Sequence, residues 1–569
     1  MADPETPLKI AFHGAAGTVT GSCMELTLGQ RRILIDCGLF QGSRSLETLN
    51  HGAFGFDVDK IDAVLLTHAH IDHCGLLPKL AKQGYRGPLW CTAPTADLLE
   101  FMLADAGRIQ ESDTARRNRR YDRAGEAMFE PLYTEADGLR AWRLTQPAEL
   151  GTWFEPAPGF KARLWNAGHI LGSASVELEA GGVRLLFSGD LGPGNKAFQS
   201  DPDAPTGMDF IICESTYGDR PRPKLTIEDR RQLLETEVKA ALARGGNLII
   251  PAFALERTQE LLLDLARLAE ANRIPNIPIF VDSPLASQAT TVFAAHAAEL
   301  EDVAGSDVFR HPSIRYVEDV AESIRLNSVS GAIILAASGM CEGGRVRHHL
   351  EHNLHRRQST ILFVGFQARG SLGRVILDGA ERVRLSGKDI NVRAAIRRIE
   401  SYSAHADRDE LAAWIRERGP IRGGLFLDHG ESEAIEALRS LVQSETPGLA
   451  VVAPAIGESF ALAPGVPPKR IQTGRIDLAQ LAGEDWQNDY ADFAANLKHN
   501  LEHIRSERGR RKALDEMRRV LASYDAARTE QKRRRRAAKA ETSHPAVPTR
   551  SSRQGNGPDA PPLTTGGFE

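Results

Sequence analysis

Short apolar runs that end in a polar residue or a glycine recur along the chain up to about residue 430. They are RRILIDCG, DAVLLTHAH, VRLLFSGDLG, DFIICESTYG, NLIIPAFAL, PIFVDSPLA, AIILAASG, TILFVGFQA and GLFLDHGE. Segments with helical periodicity, such as Thr95–Asp105, lie between many of them. Buried strands that alternate with helices predict an α/β fold, because strands covered on both faces read as continuous apolar runs. Since such sheets bind ligands at the carboxyl ends of their strands, the polar residues there are site candidates.

Length and composition limit the possible functions. The chain has 569 residues, which predicts about two to four domains. A formal charge of −5 gives no argument for a general affinity for polyanions, so any nucleic-acid site has to be local. The six cysteines form no CxxC pair, which favours free thiols in a reducing, cytoplasmic compartment. We expect neither a signal peptide nor a membrane span, because the apolar stretches that these need are missing.

The segment HAHIDH follows the apolar run DAVLLT and offers four potential metal ligands in six residues. In an extended turn His68, His70 and Asp72 can point the same way, and His73 then begins the next helix. Imidazole nitrogens and carboxylate oxygens suit Zn²⁺ or a similar cation. A lone polar residue at a strand end is more often a cap, whereas this density favours a metal site. Partners from other strand ends would be Asp36, His169, Asp190 and His429.

These motifs resemble those of the metallo-β-lactamase fold. Further segments are similar to the β-CASP nucleases, a family that includes the endonuclease subunit of the cleavage and polyadenylation specificity factor and its bacterial relatives. They are GAAGTVTGSC, CESTYGDR, IPAFALERTQELL, VDSPLA, ASGMCEGGR, GFQARGSLGR, SAHAD and DHGE. The resemblance covers roughly residues 8–465. One departure is ALER, where many relatives carry a glycine before the arginine.

The resemblance implies a site with two zinc ions. One zinc would be held by His68, His70 and His169. The other would be held by Asp72, His73 and His429. Asp190 would bridge the two ions, and Asp36 would accept hydrogen bonds from the ligands or from the metal-bound water. Two cations with open positions lower the pKa of a shared water and neutralise charge on a phosphorane, so a bridging hydroxide would attack phosphorus.

The metal motifs alone do not select a substrate, because this fold hydrolyses β-lactams, thioesters and phosphodiesters. In β-CASP proteins the residues that match Glu214 and His405 form an acid pair beside the metals. A histidine can protonate the alkoxide that leaves from RNA, and a carboxylate can orient its imidazole. Without the resemblance, each residue would be interpreted as the cap of a loop. The predicted catalytic residues are Asp36, Asp72, Glu214 and His405.

Phosphate binding is predicted at SLGR, where Ser371, Gly373 and Arg374 combine a flexible turn with a guanidinium that can grip a phosphate. As a bare pattern, SLGR more commonly forms a tight turn.

A second histidine cluster, RVRHHLEHNLHRR, has four histidines at helical spacing. We interpret it as a polar helix face or a substrate contact, because the set of metal ligands is complete without it.

We therefore predict a metallo-β-lactamase αββα sandwich with an inserted Rossmann-like β-CASP domain. Residues 1–207 and 390–465 would form the sandwich, and residues 208–389 the insertion. Residues 466–541 would form a helical extension, in which the apolar stripe Trp486–Ile504 either mediates homodimerisation or packs back on the domain. The basic run Lys532–Arg536 is a nonspecific RNA contact or a solubilising segment. It leads into a tail at residues 542–569 that we predict to be disordered.

The predicted function is zinc-dependent hydrolysis of RNA phosphodiester bonds, which in this family leaves 5′-phosphate and 3′-hydroxyl ends. The alternatives are a DNA nuclease, a hydrolase of small esters or phosphodiesters, and a noncatalytic RNA-binding scaffold. A scaffold predicts missing ligands, yet every ligand position in this sequence is filled. The sequence leaves open which RNA is cut, and whether cleavage is internal or starts from an end.

Overall fold

The computed structural model describes residues 7–42, 44–122, 128–301, 303, 308–365, 367, 371–474, 497, 501, 503–520 and 522–524. The chain divides into two compact units, Met1–Phe493 and Ala494–Glu569, and the second contains a helix at residues 507–520. Most of the predicted apolar stripe, the basic run Lys532–Arg536 and the tail lie outside the described residues. In the ranges above, no helix is long and apolar enough to cross a membrane.

The first unit is built of strands and helices that alternate along much of the chain. The strands are β1 (Leu8–Phe12), β2 (Met24–Leu28), β3 (Arg31–Ile35), β4 (Ala63–Leu65), β5 (Leu89–Cys91), β6 (Thr145–Pro147), β7 (Phe154–Ala157), β8 (Phe160–Asn166), β9 (Ala174–Ala180), β10 (Val183–Phe187), β11 (Phe210–Glu214), β12 (Leu248–Pro251), β13 (Ile279–Val281), β14 (Ile314–Tyr316), β15 (Ile333–Ala336), β16 (Thr360–Val364), β17 (Arg382–Leu385), β18 (Lys388–Asn391), β19 (Ala395–Ile399), β20 (Gly424–Asp428), β21 (Val451–Val452), β22 (Ser459–Ala463) and β23 (Val466–Gln472). The α-helices are α1 (Arg44–Leu49), α2 (Ile71–Cys74), α3 (Leu77–Lys82), α4 (Ala93–Asp122), α5 (Glu135–Trp142), α6 (Ile227–Ala243), α7 (Arg257–Glu270), α8 (Pro284–Ala295), α9 (Val320–Arg325), α10 (Val346–Asn353), α11 (Leu372–Leu377), α12 (Arg408–Glu417) and α13 (Ser432–Glu445).

Two mixed sheets form a sandwich. The eight-stranded sheet has the order β23-β22-β1-β2-β3-β4-β5-β6, and the seven-stranded sheet has the order β21-β20-β11-β10-β9-β8-β7. Their facing sides share one apolar core that includes Phe12, Phe187 and Phe426. Side chains of α3, α4 and α5 lie in the core of the first sheet's outer side, and those of α12 and α13 in the core of the second sheet's outer side. The predicted αββα sandwich is therefore confirmed.

A third sheet is six-stranded and parallel, in the order β14-β13-β15-β12-β16-β19. Apolar clusters cover both of its faces, with α6, α7 and α8 contributing to one and α10 and α11 to the other. This parallel, doubly covered sheet confirms the Rossmann-like insertion.

At both ends of the insertion, the strand pairing shows that the chain passes from one sheet to the other later than we predicted. β11 still pairs with β10 and β20 in the seven-stranded sheet, and β19 still pairs with β16 in the inserted sheet. The chain therefore enters the insertion after Glu214 and leaves it after Ile399, not at residues 208 and 389. Likewise, β23 is a strand of the eight-stranded sheet at the start of the segment that we assigned to a helical extension.

The strand ends that carry the candidate residues lie on the sandwich. β3 and β4 run parallel, and Asp36 and the HAHIDH segment follow them. β10, β11 and β20 also run parallel, with Glu214 directly opposite Asp428. The carboxyl ends of both parallel sets thus deliver polar residues to one edge of the sandwich, as the α/β pattern predicts.

Candidate metal centre

The loop after β4 carries the central donors. α2 begins directly after His70, so Asp72 and His73 lie inside its first turn, and the helix starts earlier than we predicted. His68 and His70 lie in the turn between β4 and α2. The chain packs tightly here: a Cβ on Gly38 would lie 1.6 Å from the carbonyl oxygen of Asp72, so this position requires glycine.

Three histidine nitrogens and one carboxylate oxygen form the first donor set. Nδ1 of His70 lies 3.1 Å from Nε2 of His68 and 3.1 Å from Nε2 of His169. Oδ2 of Asp190 lies 3.6 Å from Nε2 of both His68 and His169. A neutral imidazole nitrogen has one lone pair and cannot pair well with two others. Four ligands about 2.0–2.1 Å from a tetrahedral cation, however, are separated by roughly 3.3 Å, so the set fits a cation.

The second donor set consists of Asp72, His73 and His429. Nε2 of His73 lies 3.1 Å from Nε2 of His429, which lies 3.7 Å from Oδ2 of Asp72. Oδ1 of Asp190 lies 3.2 Å from Nε2 of His73. This oxygen is buried and accepts no hydrogen bond from any residue that the structure describes. The two oxygens of Asp190 therefore face different donor sets, which is how a carboxylate bridges two cations.

Asp36 orients His73 of the second donor set through the ring nitrogen that faces away from the other donors. Its Oδ2 lies 2.7 Å from Nδ1 of His73, and its Oδ1 accepts a hydrogen bond of 2.8 Å from the backbone amide of Thr67. The hydroxyl of Ser22 donates to Oδ2 at 3.0 Å. With its second ring nitrogen held in this way, His73 can turn only Nε2 toward the donor set, which fixes the tautomer that a ligand needs.

Several contacts that orient the histidines were missed by the sequence reasoning. Nδ1 of His68 lies 3.1 Å from Oγ1 of Thr67, and Nδ1 of His429 lies 3.2 Å from Oγ1 of Thr216. Nδ1 of His169 lies 2.9 Å from the carbonyl oxygen of Ala404. The two threonines stand in DAVLLTHAH and CESTYGDR, each within two residues of a residue with a predicted role, and this adjacency was the available signal.

Burial keeps the first donor set neutral. It holds the pKa of His68 and of His169 well below the ordinary value of 6.5 and lowers that of His70 to about 4. Neutral imidazoles offer the lone pairs that a metal requires. The pKa values of these three histidines thus prepare the first set for a cation at neutral pH.

In the second donor set, the pKa values of the histidines are raised and not lowered. Burial disfavours charge on His73 and His429, but nearby carboxylates outweigh it. Asp190 and Asp36 hold the pKa of His73 well above 6.5, and Asp190 and Asp72 raise that of His429 to about 9. Burial likewise opposes the charge of Asp190, yet His429 and His73 hold its pKa well below 3.8. In this set a cation competes with protons, so its binding releases them.

Glu214 and His405 form a pair beside these donors. Nδ1 of His405 lies 3.2 Å from Oε2 of Glu214 and 3.8 Å from Oδ2 of Asp190. Oε1 of Glu214 accepts a hydrogen bond of 2.5 Å from the amide of Leu191, which fixes the carboxylate. The side chain of Glu214 is 1% exposed and that of His405 20% exposed. The buried partner thus holds a ring that solvent, and hence a substrate, can reach.

The predicted phosphate contacts lie elsewhere, at the start of α11 in the inserted sheet. The hydroxyl of Ser371 accepts a hydrogen bond of 3.2 Å from the amide of Arg374, and Nε of Arg374 donates to Asp378 at 2.9 Å. The amide of Gly373 donates to the carbonyl of Met340. Within the described residues these contacts are local to the insertion, so phosphate binding at SLGR stays a prediction.

The second histidine cluster does not join the donor sets. His349 is buried on α10, and its Nε2 lies 2.6 Å from Oδ2 of Asp282, which Arg345 also contacts at 2.7 Å. The groups of side chains in the described residues that could hold a metal ion draw on the two donor sets and Glu214, not on this cluster.

Comparisons with known proteins match the chain in three consecutive segments. Residues 16–223 match the metallo-β-lactamase superfamily, residues 258–376 the Beta-Casp domain, and residues 389–454 the Zn-dependent metallo-hydrolase RNA specificity domain. The protein named ribonuclease TTHA0252, from Thermus thermophilus, is 38% identical over 444 residues, which are 76% of this chain and 96% of the relative. The chain belongs to the β-CASP family of the metallo-β-lactamase superfamily.

Two archaeal proteins are also similar to this chain. An RNase J-like protein of Methanocaldococcus jannaschii is 31% identical and matches 74% of this chain and 92% of its own length. A transcription termination factor FttA of Cenarchaeum symbiosum is 31% identical and matches 77% of this chain and 68% of its own length. The predicted resemblance is therefore confirmed. The metallo-β-lactamase fold implies that the protein binds divalent metal, and the clustered histidine and aspartate donors could hold it.

Proposed function

We propose that this chain is a zinc-dependent ribonuclease that hydrolyses RNA phosphodiester bonds. The observation that carries the proposal is the Glu214–His405 pair, which stands within 3.8 Å of the carboxylate shared by both donor sets. Support also comes from a relative named ribonuclease that is 38% identical over nearly its whole length. RNA as substrate and six buried free cysteines both fit the cytoplasm.

The donor chemistry fits two zinc ions. His68, His70 and His169 would hold the first, Asp72, His73 and His429 the second, and Asp190 both. Nitrogen and carboxylate oxygen donors in sets of three or four are those of catalytic zinc sites, which keep a position open for water or substrate. When bound, such a pair of cations lowers the pKa of water and offsets negative charge on the reacting phosphate.

The remaining residues would orient and transfer protons. Asp36 fixes the ring of His73 through its 2.7 Å contact, so the second set keeps its shape while substrate binds. Glu214 fixes His405 through Nδ1, which leaves Nε2 of His405 to hand a proton to the oxygen that leaves from the ribose. A poor leaving group such as an alkoxide needs this proton, whereas a β-lactam amide or an aryl ester places different demands on the site.

The test uses RNA labelled at the 5′ or the 3′ end with the zinc-loaded protein, and the early products are sized. We expect cleavage of RNA, with the product pattern distinguishing internal cuts from removal of terminal nucleotides. Matched DNA, a β-lactam and a cyclic dinucleotide are assayed in parallel. Intact RNA beside hydrolysed β-lactam or cyclic dinucleotide would show that the proposed substrate is wrong.

Two variants separate the proposed site from the rest of the chain. His70→Ala removes a donor of the first set and should abolish cleavage. His51→Ala removes an exposed histidine in the turn after α1 and should leave the rate unchanged. If His70→Ala, at unchanged zinc content, cuts RNA at the wild-type rate, the reaction takes place at another site.

A further inference from the structure

A buried ion pair joins the inserted domain to the loop that carries a metal donor. Nζ of Lys196, in the loop after β10, lies 2.7 Å from Oε1 of Glu256, which directly precedes α7 of the insertion. Both side chains are only 2% exposed. Solvent therefore screens this pair little, unlike the many ion pairs on the surface.

The same two side chains also form hydrogen bonds with the backbone of the loop at His169. Nζ of Lys196 donates to the carbonyl oxygen of His169, and Oε2 of Glu256 accepts a hydrogen bond of 3.1 Å from the amide of Leu171. The loop's other amides, at His169 and Ile170, are bonded to the hydroxyl of Ser173. The ion pair thus adds two contacts to the loop backbone from outside its own segment, beside the contact of 2.9 Å between Nδ1 of His169 and the carbonyl oxygen of Ala404.

The backbone at Glu256 is strained in a way that fits a positioning role. Its φ is 66° and its ψ is −61°, and the amide of Arg257 donates to the carbonyl of Leu255 at 2.9 Å. This is a classic γ-turn, a rare conformation that costs energy for any residue with a side chain. Glycine would adopt it more easily, so the glutamate side chain must make contacts that offset the strain.

We propose that Lys196 and Glu256 act as one positioning unit that fixes the His169–Leu171 loop to the inserted domain and thereby sets the position of the His169 donor. The inserted domain then has a part in building the metal centre, in addition to any contact with substrate. This inference rests on the proposed metal site but not on RNA as the substrate. Residues that support a metal ligand typically contribute about 10–100-fold to metal affinity or activity.

The decisive variant is the double substitution Lys196→Met with Glu256→Gln, which removes both charges and leaves no unpaired one buried. Co²⁺ is titrated into the metal-free protein, and its visible absorption bands report the affinity and symmetry of each site. We expect Co²⁺ affinity at the first donor set to fall about 10–100-fold, with altered bands. With RNA, kcat should fall by a similar factor, while KM stays within about threefold.

A charge pair that serves only the fold predicts a different result, since a neutral pair of similar size would replace it without loss. Wild-type Co²⁺ affinity and kcat in the folded double variant would therefore overturn the proposal. The control is His349→Gln, which breaks another buried pair of the insertion, 2.6 Å from Asp282, away from the donor loop. It should lower thermal stability without changing the Co²⁺ bands.

A second variant covers the case in which the first does not fold. Lys196→Met with Glu256→Gly removes the same contacts and also relieves the γ-turn strain, so it should fold more readily. The same loss of Co²⁺ affinity is expected from it. If neither double variant folds, the pair is a determinant of the fold and the proposal is wrong. A wild-type chain that binds Co²⁺ but leaves RNA intact would refute the ribonuclease function, while the affinity test still decides this inference.

Discussion

Replacing Glu214 by glutamine should slow RNA cleavage through His405 and leave metal binding intact. Glutamine has the same size as glutamate, and its carbonyl oxygen can still accept the 2.5 Å hydrogen bond from the amide of Leu191. What changes is the atom 3.2 Å from Nδ1 of His405, where an NH2 group replaces Oε2 and can no longer accept a hydrogen bond from the ring. The variant therefore isolates one interaction of the proposed acid pair.

The size of the effect follows from that contact. A hydrogen bond to a charged group contributes about 1.5–3 kcal/mol, and the glutamine variant loses this one. The loss corresponds to a roughly 10–150-fold lower kcat, since about 1.4 kcal/mol is tenfold. His405→Ala removes the proton donor itself and should cost about 10²–10⁴-fold.

The assay measures kcat on labelled RNA for wild type, both single variants and the double variant, with zinc determined by elemental analysis. If Glu214 acts through His405, glutamine at position 214 has no further effect once alanine replaces His405. With bis(p-nitrophenyl) phosphate, whose leaving group needs no proton, both variants should react nearly as fast as wild type. Independent, multiplicative losses in the double variant, or equal losses on both substrates, would refute the assignment.

Two further outcomes test the donor sets. Asp190→Asn removes the charge that faces both sets, so dialysed protein should retain fewer than two metal ions per chain and cleave RNA at least about 100-fold more slowly; full metal content would contradict a bridging role. The second outcome concerns the metal-free protein, in which the pKa of His429 is raised from 6.5 to about 9. A histidine whose pKa is higher in the folded than in the unfolded protein stabilises the fold at pH values below the unfolded pKa, and this stabilisation is lost above the folded pKa. The free energy of unfolding should therefore drop by on the order of 3 kcal/mol between pH 6.5 and 9. Urea unfolding with a chelator measures this, and a curve that rises with pH would be incompatible with a protonated His429.

The sequence predicted the fold where strands are buried on both faces. Runs such as DFIICE and NLIIP are apolar throughout, and each proved to be a parallel strand. β8 was missed because Phe160–Asn166 alternates apolar with charged residues, and only one of its faces is buried. Parallel strands of the two domains look alike as sequence, which is why β11 and β19 were assigned to the wrong sides of the domain boundaries.

The candidate site was predictable to the extent that its residues are chemically distinctive. Histidines and aspartates at strand ends carry a strong signal, and the structure brings the predicted donors together. The hydroxyls of Ser22 and Thr67 carry none, because such residues are common in every loop. Lys196 and Glu256 could not be paired from sequence either, since their contact exists only once the insertion is docked on the sandwich.

The order of the donors along the chain has a consequence for how the protein is made. The first donor set and Asp190 are complete once residue 190 has been synthesised, whereas the second set lacks His429 until β20 has formed beside β11. β20 lies between β11, which is made before the insertion, and β21, which is made after it. On the ribosome, a nascent chain can therefore offer a place for one cation long before it can offer a second. Loading of the two proposed ions would then be a late event that reports a finished fold, and a chain that ends before His429 would lack a donor of the second set.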